Sequence, residues 1–166
     1  MSKQIFSNFD TEMMKEALLE AKKSFEKGEV PVGAVLVREQ KIIARASNQM
    51  EELKDPSAHA EVLAIRSGAQ VFGDWRLLET TLYTTLEPCL MCSGALLLAR
   101  VGRVVWGAPD LRHGAHGSYI NIFKMQHPTH SLRIEGGLLE EESATLMRGF
   151  FKIQRKRDEK VIGRPL

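Results

Sequence analysis

Cysteine is scarce in this sequence: two in 166 residues, at positions 89 and 92. Two cysteines cannot build a disulfide framework, which excludes the small secreted scaffolds that depend on one. Long apolar runs are missing too. The longest aliphatic run, GALLLA over 94–99, falls far short of the roughly 20 residues that span a bilayer, so no membrane partner is expected. The opening MSKQIFSNFDTEMMKEALLE is polar and acidic, without an apolar segment of export-signal length. The expected compartment is therefore the reducing cytoplasm, where neighbouring cysteines more often bind metal than pair. A strong charge of either sign is also absent: 23 basic against 21 acidic residues leave +2. Such a balance neither demands nor excludes a nucleic-acid partner; its distribution decides.

What is present is a 43% hydrophobic chain, enough for one domain with its own core. Behind Asp10 as N-cap, Met13, Met14, Ala17, Leu18, Ala21 and Phe25 recur at helical spacing, so residues 11–27 read as a helix ended by Gly28. VPVGAVLVR (30–38) and KIIARAS (41–47) read as a hairpin across Glu39 and Gln40, the first strand apolar enough to be covered on both faces. A helix follows from Ala58 to Phe72, a strand over 81–86, a helix over 89–100 opened by Pro88, and a strand over 102–108. A loop around DLRHGAHGS, a short helical piece near 118–124, a strand over 131–137 and a long terminal helix complete the chain. The order predicts an α/β fold, a three-layer α/β/α sandwich with a central five-stranded mixed sheet. Residues 1–157 form the expected single domain and 158–166 a loose tail.

Chemistry concentrates in HAE (59–61) and PCLMC (88–92). Cys89 and Cys92 stand three apart at a helix start, so both sulfurs share a face and the positive helix end favours thiolates. His59 adds a third ligand, and this set suits zinc. A structural zinc is closed by four protein ligands, whereas a catalytic one keeps three and an open place. Closure would need His113, His116, His127 or His130, none at short ligand spacing from the others. Glu61 then acquires a use: a carboxylate beside an activated water can take its proton and return it to a departing nitrogen. The competing explanation makes Glu61 a first-turn acid favoured by the helix dipole. With Ser57 as N-cap, however, the capping-box position would be Ala60. H-x-E followed by P-C-x-x-C is the signature of zinc deaminases, a class that includes the enzymes this chain resembles.

The chain resembles the bacterial tRNA-specific adenosine deaminases, within the cytidine deaminase-like superfamily. The likeness covers residues 10–155 and rests on EVPVGAVLV (29–37), DPSAHAE (55–61), TLYTTLEPCLMC (81–92), GRVVWGAPD (102–110), GAHGS (114–118) and LMRGFF (146–151). It implies zinc-dependent hydrolytic deamination of the wobble adenosine in a tRNA anticodon loop, giving inosine and ammonia. It implies one zinc per subunit on His59, Cys89 and Cys92, with Glu61 as proton shuttle. It places Asn48 against the purine, Asp110 near the target ribose, and Val30 and Leu86 beside the pocket. An arginine tRNA with adenosine at the wobble position and a homodimer whose active site uses both subunits also follow from the resemblance. By pattern alone, Asn48 is equally a turn asparagine, Asp110 a turn residue, and Val30 and Leu86 strand-end hydrophobics.

RGFFKIQRKR brings Arg148, Lys152, Arg155, Lys156 and Arg157 together with Phe150 and Phe151. Cations can meet phosphates and an aromatic can stack on an unpaired base, and the family places tRNA contacts here. Core is the default for the phenylalanines, with at least one, Phe151, expected to face RNA. Arg112 and His113 depart from the lysine-containing loop associated with the family; arginine keeps the charge but changes the geometry. Two rivals stand against this reading. A free-base or nucleotide deaminase would turn over free nucleoside as readily as tRNA. A zinc-stabilised RNA-binding module would close its site with a fourth ligand.

Overall fold

A computed structural model of the chain describes residues 6–162, with side chains through Glu159. Five strands form one sheet: β1 (Gly33–Arg38), β2 (Lys41–Ser47), β3 (Thr80–Leu86), β4 (Arg103–Ala108) and β5 (Arg133–Gly136). Their spatial order is β2-β1-β3-β4-β5. β1 is antiparallel to both β2 and β3, while β3, β4 and β5 run parallel. The mixed sheet expected from the element order is thus the one observed.

Helices cover both faces. α1 (Asn8–Glu26) and α5 (Glu140–Ile162) lie on one side; α3 (Ala60–Phe72) and α4 (Leu90–Leu98) lie on the other. The period-2 alternation of β1 sorts its side chains between two cores. Val35 and Val37 meet Met14, Ala17, Tyr83 and Val105, whereas Leu36 joins Ala64, Leu82, Leu96 and Val104. Both sets are buried, which is why β1 is apolar without alternation. The Glu39-Gln40 turn has both residues at positive φ (49° and 60°), the two-residue geometry whose twist matches a hairpin. At Gly33 a Cβ would lie 2.1 Å from the Ala17 carbonyl oxygen, so glycine is what lets α1 approach β1.

Several local expectations need correction. The N-cap of α1 is Ser7, not Asp10. Asp10 is the N3 member of a capping box, with its N–H donating to Ser7 Oγ (3.0 Å) and the Ser7 N–H donating back to Asp10 Oδ2 (2.9 Å). Asp10 has a second attachment that sequence could not display: the Tyr83 hydroxyl and Arg103 Nη1 both donate to its Oδ1 at 2.6 Å. A one-turn helix, α2 (Met50–Leu53), was not foreseen, being too short for periodicity to show. The helical piece near 118–124 reduces to a 3₁₀ turn, Ile122–Lys124. α5 continues to Ile162, and residues 163–166 lie outside the described residues.

Candidate metal centre and nucleotide pocket

The two chemical motifs meet at the end of the sheet where β3 and β4 finish. α3 begins two residues later than expected for Ser57 as N-cap: the N-cap is His59, with extended backbone (φ −72°, ψ 148°). Ser57 belongs instead to a turn, its N–H and hydroxyl both donating to Asp55 Oδ1. Cys89 is likewise the N-cap of α4 (φ −71°, ψ 174°). Neither side chain caps its own helix. Each is turned outward over the helix end, where the two meet.

His59 Nδ1 lies 3.6 Å from Cys89 Sγ and 3.4 Å from Cys92 Sγ. Two ligands on a tetrahedral zinc, at about 2.3 Å for sulfur and about 2.0 Å for nitrogen, stand about 3.5 Å apart. The donor atoms therefore already have the spacing one ion requires. Among the described residues no other His, Cys, Asp or Glu joins this cluster. His116 Nδ1 accepts from Trp106 Nε1, His130 Nε2 meets the Val101 carbonyl, and His113 faces Asp110. Three protein ligands with an open fourth place define a catalytic zinc site.

Without metal these groups divide their protons unevenly. Hydrogen bonding from Cys92, reinforced by His59 and opposed by burial, lowers the Cys89 thiol to about 4. The Cys89 sulfur and burial drive the Cys92 thiol strongly upward, and the Cys89 sulfur raises His59. An entering ion displaces the Cys92 proton, so metal affinity weakens in acid. Glu61, in the first turn of α3, is 3% exposed. Burial raises its carboxyl despite the neighbouring His59, and it stands beside Cys92 without belonging to the ligand cluster.

The centre opens into a cavity of about 1470 Å³. Val30, Asn48, Leu86, Asp110, Arg112 and His113 all line it together with His59, Glu61 and Cys89. Buried Asn48 donates from Nδ2 to Glu29 Oε2 at 3.4 Å, and the other Glu29 oxygen accepts from the Glu52 N–H at 2.8 Å. Asp110 Oδ1 accepts from the N–H groups of Arg112 (3.0 Å) and His113 (3.1 Å). It is thus a turn residue and a cavity residue at once. α5 contributes Arg148, Phe151, Lys152 and Arg155 to the lining. Arg148 is ion-paired with Glu141, whereas Lys152 and Arg155 have no ion-pair partner among the described residues. Phe150 is buried edge-on against Phe25, while Phe151 is 39% exposed. Lys156 and Arg157 do not line the cavity. Sequence reasoning missed Glu29 and Glu87, both buried acids; the only available signal was a carboxylate set directly against an apolar strand.

A three-ligand centre of this kind, on two facing helix starts beside a mixed sheet, defines a class. The chain belongs to the family described as the cytidine and deoxycytidylate deaminase zinc-binding region, whose model matches residues 7–108, and zinc is its cofactor. Within that class its relatives are tRNA-specific adenosine deaminases. The one from Bacillus subtilis (strain 168) is 48% identical over 144 residues, covering 87% of this chain and 89% of the relative. The chloroplastic tRNA(adenine(34)) deaminase of Arabidopsis thaliana is 48% identical over 161 residues, but this chain spans 12% of its length. A solved structure from work on A-to-I editing by tRNA:A34 deaminases at the wobble position superposes with a TM-score of 0.79 at 43% identity. That alignment covers 82% of this chain and 99% of that one.

Proposed function

We propose that this protein hydrolyses the 6-amino group of the wobble adenosine in a tRNA anticodon loop: adenosine and water give inosine and ammonia. The observation that carries the reading is that one cavity is lined both by His59 and Cys89 of the three-ligand centre and by α5. On α5, Phe151, Lys152 and Arg155 line it. A free nucleoside needs no such extension, whereas a loop nucleotide arrives with neighbouring bases and phosphates.

His59, Cys89 and Cys92 hold the zinc, which when bound supplies the Lewis acidity that activates the attacking water. Glu61 takes a proton from that water as it adds to C6. It delivers that proton to N1, then takes the second proton from the new C6 hydroxyl and hands it to the leaving amine, so one carboxylate serves both directions. Its burial suits the return leg, because a raised carboxyl holds a proton more readily. Asn48 addresses the purine edge with its amide, and Glu29 fixes the direction of that amide. Val30 and Leu86 flank the base. Asp110 accepts from the ribose 2′-hydroxyl, the group that separates RNA from DNA. Arg112, Arg148, Lys152 and Arg155 meet phosphates and Phe151 stacks on a flanking base.

The proposed substrate is the arginine tRNA bearing adenosine at the wobble position, and the proposed compartment the cytoplasm. No helix among the described residues is long and apolar enough to cross a membrane. The proposed assembly is a homodimer. Leu90 and Leu98 on α4, with Leu111, Tyr119 and Ile120 in the loop after β4, expose large apolar side chains. The loop is tied to the start of α4 by a bridge between Cys89 and Gly114. A second copy of this chain would cover such a patch. The deciding experiment gives purified protein either adenosine-wobble arginine tRNA or free adenosine and measures inosine by mass spectrometry after digestion. Efficient conversion of the tRNA alone is expected; comparable turnover of free adenosine overturns the reading.

A further inference from the structure

Glu87 lies between the end of β3 and the metal-binding segment, is 1% exposed, and has no part in the proton transfers above. Among the described residues its carboxylate has no ion-pair partner. Four donors from a single loop converge on it instead. The Asp110 N–H donates to Oε2 at 3.1 Å, and the N–H groups of His116 (2.9 Å) and Ser118 (3.2 Å) donate to Oε1. The Ser118 hydroxyl donates to Oε2 as well. Gly114 lies directly over the carboxylate: a Cβ there would stand 2.5 Å from Glu87 Cδ, so the loop closes on it only with glycine. Next door, the Ala115 N–H donates to the Pro88 carbonyl at 2.9 Å.

A buried carboxylate persists only where hydrogen bonds satisfy it, and here those bonds come from residues 110–118. Backbone N–H groups cannot be re-aimed without moving the chain. The carboxylate therefore dictates the path of the loop, and with it Asp110, Arg112 and His113 at the cavity wall. We propose that Glu87 is a positioning residue that holds loop 110–118 as the substrate-facing wall of the pocket, setting affinity for the RNA while Glu61 carries the proton chemistry. This rests on the tRNA deaminase reading and deepens it.

The test is Glu87→Gln in the zinc-loaded full chain, with an adenosine-wobble anticodon stem-loop as substrate. An amide offers one accepting oxygen and sets its own N–H donors against those of the loop. KM should rise about tenfold or more, since unsatisfied buried donors are expensive. Turnover, kcat, should stay within about threefold, and one zinc per chain should be retained. Ser118→Ala removes the hydroxyl donor alone and keeps the test open if the first variant fails to fold; its KM should rise about two- to fivefold. Loss of zinc, a fall in kcat at unchanged KM, or wild-type KM in the folded variants overturns the assignment. Amide hydrogen exchange separates this from the functional reading. Should the wild-type protein not deaminate the RNA, the functional reading fails. Asp110, His116 and Ser118 should still lose protection in the variants, and unchanged protection overturns the role of Glu87.

Discussion

Replacing Glu61 by glutamine separates catalysis from metal binding and from stability in one variant. The side chain is 3% exposed, lies outside the three-ligand cluster, and has its carboxyl raised by burial. Glutamine has nearly the same shape, so packing around it is preserved. It cannot take a proton from water or hand one to a leaving amine. Positioned acid–base groups contribute about 10²- to 10⁴-fold to rate, or about 3–5 kcal/mol of barrier, and that is the expected loss in kcat on an anticodon stem-loop. Zinc stoichiometry, measured on the purified variant by elemental analysis, should stay at one per chain. Thermal stability should not fall. A carboxyl raised by burial costs the native state progressively as pH climbs above its unfolded value, and the neutral amide removes this cost. The assay is single-turnover inosine formation alongside metal content and a melting curve. Wild-type turnover would refute the proton-shuttle role. Loss of zinc would show that the carboxylate is a ligand, and the three-ligand argument would fail with it.

Three further substitutions test the scaffold and the RNA surface. Asp10→Asn weakens the buried junction of α1 with β3 and β4. Because Arg103 keeps Glu135 as a partner at 2.7 Å, the expected cost is about 3 kcal/mol, or about 6–12 °C in Tm for a chain of this size. Burial opposes ionisation of Asp10, but hydrogen bonds from Arg103, Tyr83 and Ser7 outweigh it and hold the carboxyl well below the usual range. This stabilisation is therefore complete above the unfolded value of about 3.9 and fades as pH falls below it. The Tm gap between wild type and variant should be full near neutrality and close in acid; a gap independent of pH would refute the ionised network. Phe150→Ala should cost about 3–5 kcal/mol of stability, while Phe151→Ala should leave the melting curve nearly unchanged and raise KM for the stem-loop about 5- to 100-fold. The reverse pattern would exchange their roles.

Much of the architecture is legible along the chain because its signals are local. Apolar residues at helical spacing reveal α1, an unbroken apolar run reveals β1 as a strand covered on both faces, and C-x-x-C at a helix start places two sulfurs on one side. The errors arise where a local rule has two solutions. An aspartate before an apolar run is read as an N-cap, yet Ser7 three residues earlier completes a capping box with it. Ser57 has the right chemistry to cap α3, but the metal histidine occupies that position. The choice in each case depends on partners far away in sequence, Tyr83 and Arg103 for Asp10, Cys89 and Cys92 for His59.

The residue types and spacings alone determined that there are three ligands for a borderline metal, too few cysteines to close the site, and an unpaired glutamate two positions from the histidine. Those facts need no coordinates, since ligand preference and helical periodicity are properties of short segments. Only the tertiary structure decided that the helix starts carrying His59 and Cys89 face each other with ligand atoms at coordination distance. It likewise decided that Phe151 rather than Phe150 lines the cavity, and that Glu29 and Glu87 are buried. These outcomes depend on the order of strands in the sheet and on where the helices cross it. Both are set by long-range burial of apolar surface, which no window of neighbouring residues contains.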